Sequence, residues 1–251
     1  MTGQALPKKL KREPLVDAIF EIRFTPSTAA STVLPGFFFA KLQPKKWEVE
    51  LLPAAEIPSQ IRSVDNHLRY QPLMRIRWDN FIILIGDTTL GLACNIPYPG
   101  WANFKERIVR AVGILVESNI VKTVERYSLK YVDVLEAASL AEQIQRVNLD
   151  LRVGSHTVAK EAFTVRVEIP DDAFIKVVQI AASATAKTSD GRVRKGSLVD
   201  IDTICNYKTT DLKAFADELP DRLEAIHIEN KKVFFDCLRP ETIKYLEPVY
   251  D

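Results

Sequence analysis

Asp200 and Asp202 are the most site-like pair in the sequence. On a strand, residues two apart share a face, so both carboxylates would lie close together. Such a pair could hold a divalent cation or share a proton. A hard cation asks for more oxygen ligands than two side chains give, and no other acidic cluster converges by spacing. The competing reading is an ion pair with Lys or Arg on a neighbouring strand, and the balance favours it. The histidines are His67, His156 and His227. The first two fall in turn-rich stretches. His227 stands between Ile226 and Ile228 in a helical pattern, where a base facing a sheet is conceivable and a singly hydrogen-bonded boundary histidine is commoner. No nucleophile elbow and no His-x-x-x-His pair accompanies it.

Basic residues form the second group of candidates. Arg192, Arg194 and Lys195 sit on an Asp190-Gly191 turn, and Arg75 and Arg77 flank Trp78 with Tyr70 and Phe81 close by in sequence. Cations interleaved with aromatic rings suit phosphates and unstacked bases, which makes nucleic acid a candidate partner. The formal net charge of +1 supplies no general attraction to polyanions. Solvated turns beside sheet aromatics are therefore the favoured reading of these residues. The nine glycines contain neither GxGxxG nor GxxxxGK[ST]. The three cysteines, Cys94, Cys205 and Cys237, are far apart and form no CxxC. Spacing thus predicts buried free thiols in a reducing compartment and no zinc site. No cofactor is called for by any of these patterns.

The elements that would position these groups read as α+β. The chain has 251 residues, 47% of them hydrophobic, enough for a substantial core. Residues 14–24 alternate, with Val16, Ala18, Phe20, Ile22 and Phe24 on one face, and predict a half-buried strand. Residues 26–42 read as a short helix or irregular segment interrupted at Pro35-Gly36. A strand over 47–52, a loop over 53–63, a hairpin of 68–78 with 81–85 around Asp79-Asn80, and a strand at 90–96 follow. From Trp101 a stripe through Phe104, Ile108, Ala111, Val112 and Leu115 predicts a long helix. The second stretch reads as a strand at 121–135 and a helix capped by Ser139. A short strand at 149–153 follows, then a hairpin of 163–169 with 174–186, a strand at 193–205 and helix from Asp211, with Pro220 opening a further helix.

This order predicts a tandem pseudo-repeat of strand, short helix, four strands and long helix, dividing near Asn119. Residues 1–13 would be a flexible basic arm, 14–119 the first half and 120–251 the second. The halves would share one antiparallel sheet with both long helices on one face, an arrangement similar to TATA-binding-protein-like and helix-grip folds. The opposite face would be open. No run approaches the roughly eighteen apolar residues of a membrane span, and no signal peptide is evident, so a cytoplasmic location is expected.

Several segments resemble a sporadically distributed prokaryotic family of uncharacterised proteins of about this length. They are 14–24, Pro-Tyr-Pro-Gly-Trp at 97–101, Arg-Tyr-Ser-Leu-Lys-Tyr-Val-Asp at 126–133, Asp-Ile-Asp at 200–202, and 223–234 with His227. The resemblance spans nearly the whole chain and implies no substrate or catalytic residue. Patchy distribution implies an accessory context, such as a toxin–antitoxin or phage-defence operon. The expectation is a non-enzymatic binding protein with an operon-encoded protein partner. Homo-oligomers are also compatible with the sequence. The alternatives are a small-ligand or lipid-like pocket, a nucleic-acid-binding open sheet face, and a metal-dependent enzyme centred on Asp200 and Asp202.

Overall fold

The computed structural model describes residues 6–44 and 46–250. In chain order the elements begin with β1 (Lys9–Leu10), β2 (Leu15–Pro26), α1 (Ala30–Leu42), β3 (Val49–Leu51), a 3-10 turn at Pro53–Glu56, and α2 (Ser59–Val64). Next come β4 (Met74–Trp78), β5 (Phe81–Ile85), β6 (Thr89–Cys94), α3 (Trp101–Glu117) and β7 (Val121–Glu136). The remainder is α4 (Leu140–Arg146), β8 (Arg152–Val153), β9 (His156–Thr157), β10 (Thr164–Pro170), β11 (Ile175–Lys187), β12 (Val193–Thr209), α5 (Leu212–Asp236), α6 (Pro240–Tyr245) and β13 (Pro248–Val249). The fold is α+β. Its large antiparallel sheet has nine strands in the order β10-β11-β12-β7-β2-β6-β5-β4-β3. β1 with β13, and β8 with β9, make separate two-stranded sheets. No helix among the described residues is long and apolar enough to cross a membrane.

The chain condenses into two compact units, each drawn from separate stretches. The first comprises the chain up to Ala18, Lys130–Thr203, and Ile226 onward; the second comprises Ile19–Leu129 and Ile204–Ala225.

In the second unit, the β2 residues Phe20, Ile22 and Phe24 are buried, as the alternation requires. Glu21 and Arg23 occupy the other face and pair with each other at 2.6 Å. Arg126 also reaches Glu21, at 3.4 Å. The turn between β4 and β5 is the expected Asp79-Asn80, with Asp79 at φ 54°, a conformation that short polar residues tolerate. α3 buries Phe104, Ile108, Ala111, Val112 and Leu115. α1 runs through Pro35-Gly36 rather than stopping there, because Ala30, Leu34 and Phe38 recur at four and are all buried; apolar packing outweighs the lost backbone bond. The same holds at Pro220, which lies inside α5 between the buried Leu219 and Leu223 instead of opening a new helix.

The first unit packs Leu135, Val178, Ile180, Val199 and Ile201 of the sheet strands against Phe234 and Leu238. Asn230 is buried in α5 and donates through Nδ2 to the Ile201 carbonyl at 3.0 Å and to Thr203 Oγ1 at 3.1 Å. A buried amide is tolerated because its donors are satisfied. Ser139 caps α4 with Glu142 reaching back, a complete capping box.

Several expectations differ from what is observed. The stretch expected as a loop over 53–63 carries a 3-10 turn and α2. The strand expected from 68 begins only at Met74. The tandem repeat is not reproduced strand for strand, since five strands separate α4 from α5. Residues 1–5 of the expected flexible arm lie outside the described residues, and its Lys9 and Leu10 pair with Val249 and Pro248.

Among the described glycines, Gly196 of β12 has the least room for a side chain. A Cβ there would overlap the carbonyl oxygen of Leu135. Gly196→Ala is expected to destabilise the protein by about 3 kcal/mol, at the upper end of overpacking costs, as a lowered urea midpoint at unchanged slope.

Candidate functional site

The first unit holds a cavity of about 300 Å³ lined by Arg12, Glu13, Glu136, Arg146, Arg194, Tyr245 and neighbouring apolar residues. Its walls come from distant parts of the chain that backbone bonds tie together. Lys8 N–H donates to the Val249 carbonyl at 2.6 Å, and Arg12 N–H to that of Leu246 at 3.2 Å. These bonds fix the chain leading to Glu13. Thr242 Oγ1 and the Arg239 N–H both donate to the Arg146 carbonyl, at 2.8 and 3.3 Å. The end of α4 is thereby held against the start of α6.

Two guanidinium groups lie over one ring. Arg146 stands 4.2 Å and Arg12 4.7 Å from the Tyr245 centroid. The negative face of the ring attracts both cations. Glu247 pairs with Arg12 at 2.9 Å. Arg194 donates to the Glu13 carbonyl oxygen at 2.8 Å. An aromatic ring and a backbone carbonyl orient Arg146 and Arg194 without cancelling their charge.

Carboxyl groups gather beside this wall. Burial pushes the Glu13 carboxyl above its ordinary range, with Arg194 opposing. Asp133 of β7 is buried. Burial first, then repulsion from Glu13, raises it to about 8 against the pull of Arg194. Its carboxyl is therefore mainly protonated at neutral pH. Asp17 is also raised, chiefly by burial, while the Ala18 N–H and Lys130 act the other way.

Asp200 forms an ion pair with Lys130 at 2.7 Å. For Asp200 this is an ion pair with a lysine of the neighbouring strand. Asp202 occupies the same strand face, half-buried. Among the described residues no group of three or more His, Cys, Asp or Glu is placed to hold a metal ion. His227 packs its ring 5.8 Å from that of Tyr131, whose hydroxyl lies 3.4 Å from Nδ1. His67 and His156 are exposed, the latter 3.4 Å from Glu161. Cys94, Cys205 and Cys237 are free thiols, the first two buried.

The basic candidates divide between the units. In the second, Arg75 makes a two-pronged pair with Glu50, both bonds 2.8 Å, and Arg77 reaches Glu48 at 3.4 Å. Trp78 is buried, with Arg107 at 4.6 Å from its ring. Its faces are thus occupied by the protein's own groups. In the first unit Arg192 is held by Asp190 at 2.7 Å within the turn, Lys195 is exposed, and only Arg194 of this set lines the cavity. A further recess of about 320 Å³ in the second unit, lined by Arg62, Arg69 and Asp87, is neutralised internally by the Arg62–Asp87 pair at 2.7 Å.

Arg12 enters the sequence reading only as part of the basic arm, and Glu13, Asp133, Arg146 and Tyr245 escape it as site residues because no local spacing joins them. The one available signal was an Asp at an inward position of the 121–135 strand.

Comparison with protein-family models and with curated proteins finds no match to this chain.

The raised Asp133 predicts a pH dependence of stability. The fold retains a proton that the unfolded chain releases above 3.8. Stability linked to this group is therefore complete below 3.8 and lost progressively as pH rises to about 8. Asp133→Asn mimics the protonated form. Its stability relative to wild type should grow across that window and level off above it, measured as urea midpoints over a pH series.

Proposed function

We propose that the protein is a non-enzymatic binding protein that receives an acidic group of a protein partner in the first unit's cavity. The observation that carries this reading is the convergence of Arg12 and Arg146 on Tyr245, with Arg194 in the same wall. Guanidinium groups bind carboxylates through paired, planar hydrogen bonds. Here packing and backbone bonds hold them before any partner arrives, which lowers the entropy cost of association. Size favours a protein group over a whole cofactor. Small-molecule sites run from about 300 to 1,000 Å³ with mostly apolar walls. This cavity is at the lower bound and charged, so it suits one carboxylate side chain or chain terminus. The reading keeps the expectation that such a partner is encoded in the same operon.

The test compares wild type, Arg146→Glu and Arg75→Glu, each purified at native abundance from the host with its companions quantified. The reading expects a defined companion chain with wild type and with the Arg75 variant. Its recovery should fall at least about tenfold with Arg146→Glu, as for loss of a central charged contact. Equal recovery by all three proteins contradicts the reading.

A further inference from the structure

We propose that a second copy of this chain pairs with the outer edge of β10, joining two sheets across a two-fold axis at Val167. β10 ends the strand order of the large sheet. Its seven residues, Thr164–Pro170, are nearly all exposed. It pairs with β11 in a register that sets Val165 opposite Ile180 and Val167 opposite Val178. Ile180 and Val178 belong to the first unit's core. The apolar side chains of β10 therefore lie on the core side of the sheet, yet Val167 and Ile169 each remain 46% exposed.

The phase of the backbone bonds decides which groups face outward. Ala182 N–H donates to the Phe163 carbonyl, and Asp171 and Phe174 exchange both of their bonds. In an antiparallel ladder bonding alternates residue by residue. The odd-numbered residues of β10 thus bond to β11. The N–H and C=O groups of Thr164, Arg166 and Glu168, with the C=O of Pro170, point away from it.

Pairing two antiparallel copies about Val167 satisfies these groups. Arg166 faces the second copy's Glu168, and Thr164 faces its Pro170, all outward-bonding positions. Proline lacks an N–H, so only the bond it would have donated is missing at each end, and its carbonyl accepts from Thr164. Val167 then meets its own counterpart and Val165 meets Ile169 at the non-bonded positions, where Cα atoms approach to about 4.5 Å and side chains pack most closely. Arg166 and Glu168 already pair within the strand at 2.7 Å. Across the axis each gains a second opposite charge.

Neighbouring registers fail on charge. Centring on Arg166 or Glu168 keeps the bonding phase but sets like charges directly opposite. A shift of one residue puts inward-bonded positions at the new edge and apolar side chains against charged ones. A charged edge strand usually repels other strands; this one disfavours the registers centred on Arg166 and Glu168 and matches opposite charges across the one centred on Val167.

The experiment is sedimentation velocity of the full chain from micromolar to millimolar concentration, with four variants. Wild type should dimerise reversibly. Arg166→Glu or Glu168→Arg alone opposes like charges on both sides of the axis and should weaken the dimer roughly tenfold or more, since each cross-strand pair changes sign. The double exchange Arg166→Glu/Glu168→Arg restores opposite charges and should return the dimer to near wild-type strength, which also excludes misfolding as the cause of the single effects. Val167→Lys should abolish it. A wild type monomeric throughout, a dimer indifferent to the single exchanges, or a double exchange without rescue overturns the proposal.

Discussion

A strand sends successive side chains to opposite faces, and much of the structure depends on how its long strands use that alternation. In β2, Ala18, Phe20, Ile22 and Phe24 are all buried. The intervening Asp17, Glu21 and Arg23 are left to the other face. In β12, Val199, Ile201 and Thr203 point inward while Asp200 pairs with Lys130. Charge is thereby excluded from the core and compressed into ladders on the opposite face, where carboxylates and cations meet at hydrogen-bond distance. The same alternation, applied to backbone bonding, fixes which residues of β10 face outward.

Asp133 is the exception that makes the first unit chemically distinct. An ionised carboxylate buried without a close cation costs several kcal/mol. Here the group keeps its proton, since Glu13 and Asp200 oppose ionisation and Arg194 only partly offsets them. The raised Glu13 and Asp17 belong to the same field. Arg194 is consequently committed to two tasks, offsetting this acidic group and holding the Glu13 carbonyl. Arg12 and Arg146 have a different environment, sharing the Tyr245 ring; Glu247 pairs with Arg12, and the ring orients Arg146 without neutralising its charge. Acid and base thus stand side by side in one unit. The acidic side is held partly protonated and the basic side remains charged. That asymmetry favours an incoming anion over a cation.

Local pattern was legible in the sequence wherever one element settled its own fate. The alternation at 14–24, the stripe of α3, the Asp79-Asn80 and Asp190-Gly191 turns and the Ser139 cap all rest on neighbours within a few residues. Where burial overrode local chemistry, the reading failed. Pro35 and Pro220 look like helix punctuation, yet apolar residues spaced around them pack on both sides and carry the helices through. Residues 53–63 look like a loop because Pro53 and Pro58 stand in it, but Pro53 is the first residue of the 3-10 turn, a position proline favours, and Pro58 immediately precedes α2. The cavity was invisible for a different reason. Arg12, Arg146 and Tyr245 are brought together by β1 pairing with β13 and by Thr242 bonding the end of α4. Those contacts join sequence positions 96 or more residues apart.

The two edges of the large sheet meet the hazard of unpaired backbone in different ways. β3 is three residues long, too short to template much of a partner strand. The charges beside it turn inward on the protein, with Glu50 gripped by Arg75 and Glu48 by Arg77. β10 is more than twice that length and carries its apolar residues on the core side, beyond the reach of the residues that cover Val178 and Ile180. Length and exposed apolar area both argue that this edge is unprotected by the means used at β3. Apart from Pro170 at its end its guard is charge, and an Arg and a Glu two residues apart form a pattern that is its own complement under a two-fold rotation. A guard built from two like charges would exclude every copy of the strand. One built from opposite charges selects a register, which is the property expected of an interface and not of a blunted edge.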